Sequence, residues 1–103
     1  MPSFRSRIVQ QIVRDSRNAF LGNLPVEVRR RRYDAVARRA IRVPRSVCLQ
    51  TVAANGVPSD WLEPDNAVPG RAILYLHGGA YVICSPSTHR GLGGNIALSS
   101  QAR

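Results

Sequence analysis

Apolar residues near the start of the chain follow the spacing of an amphipathic helix. Within residues 4–20 they recur every three or four positions, and arginine and glutamine fill most of the positions between them. This spacing predicts a first helix with one apolar side, and Gly22 supplies its C-terminal stop. The apolar positions are Ile8, Val9, Ile12, Val13 and Phe20.

A second helix is predicted from the following residues, up to about Arg42. Asn23 is expected to cap this helix, Pro25 to lie in its first turn, and Pro44 to end it. The run Arg29–Arg32 must face largely into solvent or a partner. The residues predicted to line the other side are Val26, Tyr33, Val36, Ala37 and Ala40.

The pattern changes to strict alternation from Ser46 onward, which is typical of strands. Residues 47–52 and 57–62 are predicted to form a hairpin around the turn Asn55-Gly56, with Pro58 at an edge or at the strand start. Residues 71–76 are almost continuously apolar, as in strands that are buried on both faces of a sheet. They predict a third strand.

The last predicted element is a helix that starts near Ser87 or Thr88 and reaches Gln101. Three glycines weaken it, each by up to ~1 kcal/mol relative to alanine. The segment Gly91-Leu92-Gly93-Gly94 lacks the G-x-G-x-x-G spacing and does not directly follow a strand, so it does not indicate a dinucleotide-binding loop. The residues expected to pack are Leu92, Ile96, Ala97 and Leu98.

Positive charge is concentrated in the first 45 residues. This part holds twelve of the fifteen basic residues, all arginine, against three acidic residues, so it carries the whole formal net charge of +9. Such asymmetry fits either an arm that binds nucleic acid or a membrane surface, or the solvated face of helices in a protein from an arginine-rich proteome. We favour the second interpretation.

Two classes of protein are disfavoured by what the sequence lacks. No stretch approaches the ~20 consecutive apolar residues of a membrane span, and arginines interrupt the region where a secretory signal would lie. A cytoplasmic location is therefore expected. Cys48 and Cys84 form no CxxC pair, so we expect two reduced thiols that act as small buried hydrophobic groups, with neither a metal site nor a disulfide framework.

The predicted third strand runs directly into His77-Gly78-Gly79-Ala80-Tyr81. Paired glycines at the end of a buried strand expose backbone N–H groups with no side chains in the way. Acyl-transfer enzymes need such donors, because the tetrahedral intermediate carries a full negative charge on oxygen. Taken alone, the motif also fits a tight turn without chemistry.

The flanking residues make the motif more specific. The segment 73–82, followed by Ser85-Pro86 and Thr88-His89-Arg90, resembles the oxyanion-hole region of hormone-sensitive-lipase-like esterases, the bacterial family IV of carboxylesterases. The segment 55–62 is similar to the hairpin before it. The resemblance implies an α/β fold class, namely amino-terminal cap helices plus the first strands of an α/β-hydrolase sheet, in an incomplete domain. Residues 1–45 would be a basic helical cap segment, and 46–103 the start of the core with the oxyanion-hole loop.

The resemblance also assigns roles to residues. The backbone N–H groups of Gly79 and Ala80 would be the oxyanion donors, although alanine replaces the third glycine of the family at position 80. His77 and Gly78 would support the loop, and His89 would be a structural hydrogen-bonding group. The resemblance implies no metal or cofactor. The residues that would line the pocket mouth are Tyr81 and Val82.

A catalytic nucleophile is missing from this pattern. The nucleophile elbow of the fold has the form G-x-S-x-G, and no serine here has the flanking glycines. We therefore expect an amino-terminal fragment of a carboxylic ester hydrolase, from a truncated or frameshifted gene product, that lacks the catalytic triad and is inactive alone. The full-length protein would act on a small acyl ester, without nucleic acid as a partner.

Two alternatives stay open. The arginine-rich helices could form a non-enzymatic module that binds nucleic acid or an anionic membrane, although aromatic stacking residues are scarce in the basic half. The chain could also be a non-functional remnant that barely folds, with an aggregation-prone edge at residues 71–76. The oligomeric state is not predicted.

Overall fold

The computed structural model describes residues 3–103, with the side chains of residues 18–21 left out of the description. Within this range, no helix is long and apolar enough to cross a membrane. The elements follow one another as helix, helix, strand, strand, helix. They are α1 (Phe4–Leu21), α2 (Val26–Ala40), β1 (Val47–Ala54), β2 (Val57–Pro64) and α3 (Pro86–Ser100).

The first predicted helix is confirmed by α1, which ends one residue before Gly22. Its apolar side is not covered by the rest of the described chain. Ile8, Val9, Ile12 and Val13 are between 45% and 60% exposed, and the side chain of Phe20 lies outside the described residues. Helical periodicity therefore predicted the element correctly, but the partner of its apolar side is absent from residues 3–103.

The second helix is also confirmed, but the predicted cap is wrong. Pro25, not Asn23, occupies the N-cap position of α2, and its carbonyl accepts hydrogen bonds from the N–H groups of Val28 and Arg29, both at 3.1 Å. The helix ends at Ala40 rather than near Arg42, because Ile41 already has an extended backbone ahead of Pro44. Two residues predicted to line the apolar side are exposed, Val36 and Ala40.

The predicted hairpin is confirmed. β1 and β2 form an antiparallel pair in which Val47 lies opposite Pro64 and Ala54 opposite Val57. Asn55 and Gly56 both have positive φ, +52° and +83°, which are the angles of the tight turn that matches strand twist. The expectation that both thiols are buried is wrong for Cys48, which is exposed on β1.

The prediction of a third strand that is buried on both faces is wrong. Residues 71–78 belong to neither strand of the two-stranded sheet and are exposed throughout, with Leu74 at 86% and Leu76 at 80%. Apart from a local hydrogen bond from the Arg71 N–H to the Val68 carbonyl, their backbone pairs only with Arg103 in the described chain. The Ile73 N–H donates to the Arg103 carbonyl at 2.8 Å, and the Arg103 N–H donates to the Arg71 carbonyl at 3.4 Å. This is the beginning of a parallel pairing, so the segment has only one residue to pair with.

The last predicted helix is confirmed as α3, which begins at Pro86, just before the predicted start. Ser85 is its N-cap, and the Thr88 side chain bonds back to the Ser85 backbone as in a capping box. Two of its glycines are buried at close contacts: Gly91 faces Ile41 and Gly94 faces Pro44. Of the predicted packing residues, Ala97 is buried, Ile96 and Leu98 are partly buried, and Leu92 is exposed.

An ion pair joins α3 to the hairpin. The Arg90 Nε–H donates to Asp60 Oδ2 at 2.7 Å, and a second guanidinium nitrogen lies 3.2 Å from Oδ1. The Asp60 side chain is only 6% exposed. The hydrogen bond to Asp60 raises the pKa of Arg90 above its ordinary value. Among the buried apolar residues of the described chain, Val47 lies on β1 and Ala97 on α3, whereas Ile83 and Ala102 flank α3.

Candidate functional site

The motif His77-Gly78-Gly79-Ala80-Tyr81 forms a tight turn between the extended segment and α3. Gly79, Ala80 and Tyr81 have φ values of +140°, +53° and +60°. The Gly79 carbonyl closes the turn, because it accepts hydrogen bonds from the N–H groups of Val82 at 3.0 Å and Ile83 at 3.1 Å. The Gly79 carbonyl therefore holds the turn together as a hydrogen-bond acceptor.

Position 79 requires glycine for two independent reasons. Its φ lies in the region that residues with a side chain rarely adopt. A Cβ atom there would also collide with the Ile83 carbonyl, whose carbon would lie 2.9 Å away. No such limit exists at Gly78, where a Cβ would meet nothing within 4 Å. The turn thus depends on the second glycine of the motif far more than on the first.

The N–H groups of Gly79 and Ala80 are not used to hold the turn. Neither donates a hydrogen bond to any acceptor within residues 3–103. Ala80 is exposed and has left-handed backbone angles, which cost a residue with a Cβ roughly 1–2 kcal/mol. These adjacent donors, together with the Tyr81 N–H, are left without an acceptor in the described part of the chain.

The two histidines lie against each other beside this turn. Their rings stack at 23° with centroids 5.5 Å apart. His77 Nδ1 lies 2.9 Å from the Gly78 carbonyl, so Nδ1–H donates. The Thr88 hydroxyl donates to the Ser85 carbonyl at 2.8 Å, which leaves His89 Nδ1–H to donate to Thr88 Oγ1 at 2.7 Å. In these contacts both histidines serve the loop and the start of α3.

Three side chains of α2 hold the segment that follows the turn. The Arg30 Nε–H donates to the Val82 carbonyl at 2.6 Å. Asp34 Oδ2 accepts from the Ser85 hydroxyl at 3.2 Å. Burial raises the pKa of the Tyr33 phenol, and the neighbouring Cys84 thiol raises it further.

These α2 contacts were missed by the sequence analysis. The expectation that the run Arg29–Arg32 faces largely into solvent is confirmed, since only Arg29 is half-buried, but the exposed Arg30 also reaches Val82. The spacing i, i+3, i+4 of the three residues puts them on one side of a helix and is the only sequence signal for them. It does not say what that side contacts.

Comparisons with known proteins agree with the fold. A curated relative from Mycobacterium tuberculosis, "Putative acetyl-hydrolase LipR", is 29% identical over 98 residues, which are 95% of this chain and 32% of the relative. The structure of an esterase from the bacterial hormone-sensitive lipase family is 30% identical with a TM-score of 0.72, and the match covers 85% of this chain and 29% of that one. This chain is similar to esterases of the bacterial hormone-sensitive lipase family, and the match is to a portion of them.

A mutant of the esterase E40 superposes over more of the chain. It has a TM-score of 0.83 and 29% identity, and the match covers 98% of this chain and 34% of that one. No family model matches the chain. The chain spans about a third of the length of the relatives that it matches. The predicted fold class, helices followed by the first strands of an α/β-hydrolase sheet, is confirmed.

The roles assigned to individual residues in this hormone-sensitive-lipase-like portion stay predictions. Tyr81 is fully exposed and Val82 half-buried, so no wall of an acyl pocket is formed around them by residues 3–103. Ser85 lies near the loop, but its hydroxyl is engaged with Asp34 and Ser87 at the cap of α3. Within the described residues, no group of three or more histidine, cysteine or acidic residues could hold a metal ion.

Proposed function

We propose that this chain supplies the oxyanion hole of a carboxylic ester hydrolase through the backbone N–H groups of Gly79 and Ala80. The observation that carries the proposal is the combination of a turn closed by the Gly79 carbonyl with two neighbouring amides that donate to no acceptor in the described chain. Similarity to esterases supports it.

The chemistry follows from where charge develops. A serine from the remainder of a full-length esterase would attack the carbonyl carbon of a small acyl ester, and the carbonyl oxygen would become an oxyanion. Preorganised N–H donors stabilise that charge without moving during the reaction, and each contributes about 3–4 kcal/mol to lowering the barrier. The chain supplies no G-x-S-x-G serine, so it would contribute donors and cap helices but not the nucleophile.

The experiment compares the 103-residue chain with a chimera in which it replaces the matching portion of esterase E40. Hydrolysis of p-nitrophenyl acetate and butyrate is measured for both proteins. We expect no turnover by the chain alone and turnover by the chimera. Saturable hydrolysis by the chain alone would show that its nucleophile lies elsewhere and would overturn the proposal.

A substitution at the turn tests the donors themselves. Gly79→Ala forces a Cβ into the Ile83 carbonyl and displaces the donors, so we expect a loss of about 10²–10³ in kcat. Gly93→Ala is the matched control, since Gly93 lies on α3 and faces Leu62 of the hairpin. Equal activity of the two variants would contradict the proposed function.

A further inference from the structure

The segment after the turn is attached to α2 at three successive points. Arg30 holds the Val82 carbonyl, Tyr33 lies beside Cys84, and Asp34 holds the Ser85 hydroxyl. The residues come from a single side of one helix and reach a segment about 50 positions further along the chain. These are therefore tertiary contacts, and they fix the segment whose N–H groups close the turn.

The Val82 peptide connects α2 to the predicted donors. Its N–H donates to the Gly79 carbonyl at 3.0 Å, and its own carbonyl accepts from Arg30 at 2.6 Å. A displacement of Arg30 would thus pass through one residue to Gly79, whose carbonyl orientation is coupled to that of the next amide in the chain, Ala80. The Val82 carbonyl shares its peptide plane with the Ile83 N–H, which also donates to the Gly79 carbonyl, and that carbonyl shares its plane with the Ala80 N–H.

Asp34 is held at an energetic cost that packing alone does not explain. Its Oδ2 accepts from Ser85, but Oδ1 is buried and accepts no hydrogen bond from the described part of the chain. Burying a carboxylate oxygen without a partner is unfavourable. The same Ser85 hydroxyl lies 2.7 Å from Ser87 Oγ at the start of α3, so Asp34 joins α2, the loop and α3 at one point.

We propose that Arg30 and Asp34 are positioning residues that set the geometry of the Gly79 and Ala80 amides from α2, an inference that rests on the proposed function. The resemblance assigns α2 to the cap above the acyl pocket. The position of the cap then determines how well the oxyanion donors are aligned. Neither residue touches the reacting atoms, and both act through the Val82–Ser85 segment.

Amide hydrogen exchange in the 103-residue chain tests the contact without reference to catalysis. The amides of Val82 and Ile83 are protected by the Gly79 carbonyl. We expect Arg30→Ala and Asp34→Ala to accelerate their exchange at least threefold more than Arg31→Ala does. Arg31 is the matched control because it is exposed on the same helix. Unchanged exchange in both variants, or unprotected amides in the unsubstituted chain, would overturn the positioning role.

Kinetics of the E40 chimera test the consequence. We expect Arg30→Ala and Asp34→Ala to lower kcat by roughly tenfold, less than the loss for a displaced donor, with KM within twofold. Arg30→Lys and Asp34→Asn, which keep a donor and an acceptor, are expected to recover part of that loss. Accelerated exchange with kcat equal to that of Arg31→Ala would show a merely structural contact and overturn the proposal. An unaffected Gly79→Ala variant would instead refute the proposed function.

Discussion

Gly91 is the position where a single methyl group tests the packing of α3 most directly. In an exposed helix, replacing glycine by alanine stabilises by about 1 kcal/mol, because alanine loses less backbone entropy on folding. At Gly91 the new Cβ would lie 2.6 Å from the Ile41 carbonyl oxygen and 2.8 Å from its carbon. These are backbone atoms, which cannot rotate away. Forcing a methyl group into such a contact costs about 1–3 kcal/mol, so Gly91→Ala should destabilise by about 1 kcal/mol net.

Gly93 provides a control within the same helix. A Cβ at this position would meet only the Leu62 Cδ1 atom, at 2.6 Å. The end of a leucine side chain can rotate at small cost, so the helix-propensity gain should prevail. We expect Gly93→Ala to be neutral or to stabilise by up to about 1 kcal/mol.

The assay is urea unfolding of the two variants and the unsubstituted chain, followed by far-UV circular dichroism. At equal slopes, a difference in midpoint reports a difference in the free energy of unfolding. The two substitutions should move the midpoint in opposite directions. If Gly91→Ala raised the midpoint as much as Gly93→Ala, then α3 would not approach Ile41 as closely as described, and the reasoning would fail.

Three further predictions concern the hairpin, α2 and the extended segment. Asp60→Ala should lower the free energy of unfolding by about 2 kcal/mol because it leaves Arg90 without its charged hydrogen-bond partner. Glu63→Ala, which removes an exposed ion pair with Arg103 at 4.0 Å, should change the free energy of unfolding by less than about 0.5 kcal/mol. Equal losses for the two variants in urea unfolding would contradict this. Burial raises the pKa of Tyr33, so the unfolded chain loses that proton at lower pH than the folded chain. Stability is complete below the ordinary tyrosine range and falls as pH rises through the raised pKa; Tyr33→Phe should flatten this alkaline loss in an unfolding series. Leu74→Lys should reduce self-association in sedimentation velocity by placing a charge on an unpaired apolar edge, and unchanged association would show that another surface is responsible.

Local chemistry explains which elements could be predicted from the sequence. The hairpin depends on Asn55 and Gly56, which tolerate positive φ and lie next to each other in the chain. The helices depend on apolar spacing and on caps within a few residues. The oxyanion-hole motif was recognisable because its glycines, histidine and flanking residues are contiguous. Each of these signals lies within one short window.

The features that were missed depend on residues far apart in the chain. Residues 71–76 have the composition of a buried strand, but beyond a local bond to Val68 only Arg103 of the described chain pairs with them. The glycines of α3 were interpreted only as weakening the helix. In the structure, the absence of a side chain at Gly91 and Gly94 allows the segment that follows α2 to pack closely against α3. Composition states what a segment tolerates, whereas burial depends on which neighbours reach it.

Some polar groups of the turn form hydrogen bonds that hold it, whereas others have no partner in the described chain and could bind a ligand. The carbonyls of Gly79 and Val82 and the hydroxyl of Ser85 are all engaged within the chain, the last two by α2. The amides of Gly79 and Ala80, like the amide of Tyr81, donate to nothing in residues 3–103. Positive φ at Ala80 beside an unpaired amide supports the proposal of an anion-binding turn, because such strain often accumulates at functional sites. In the proposed function, the contacts from α2 would keep these donors preorganised.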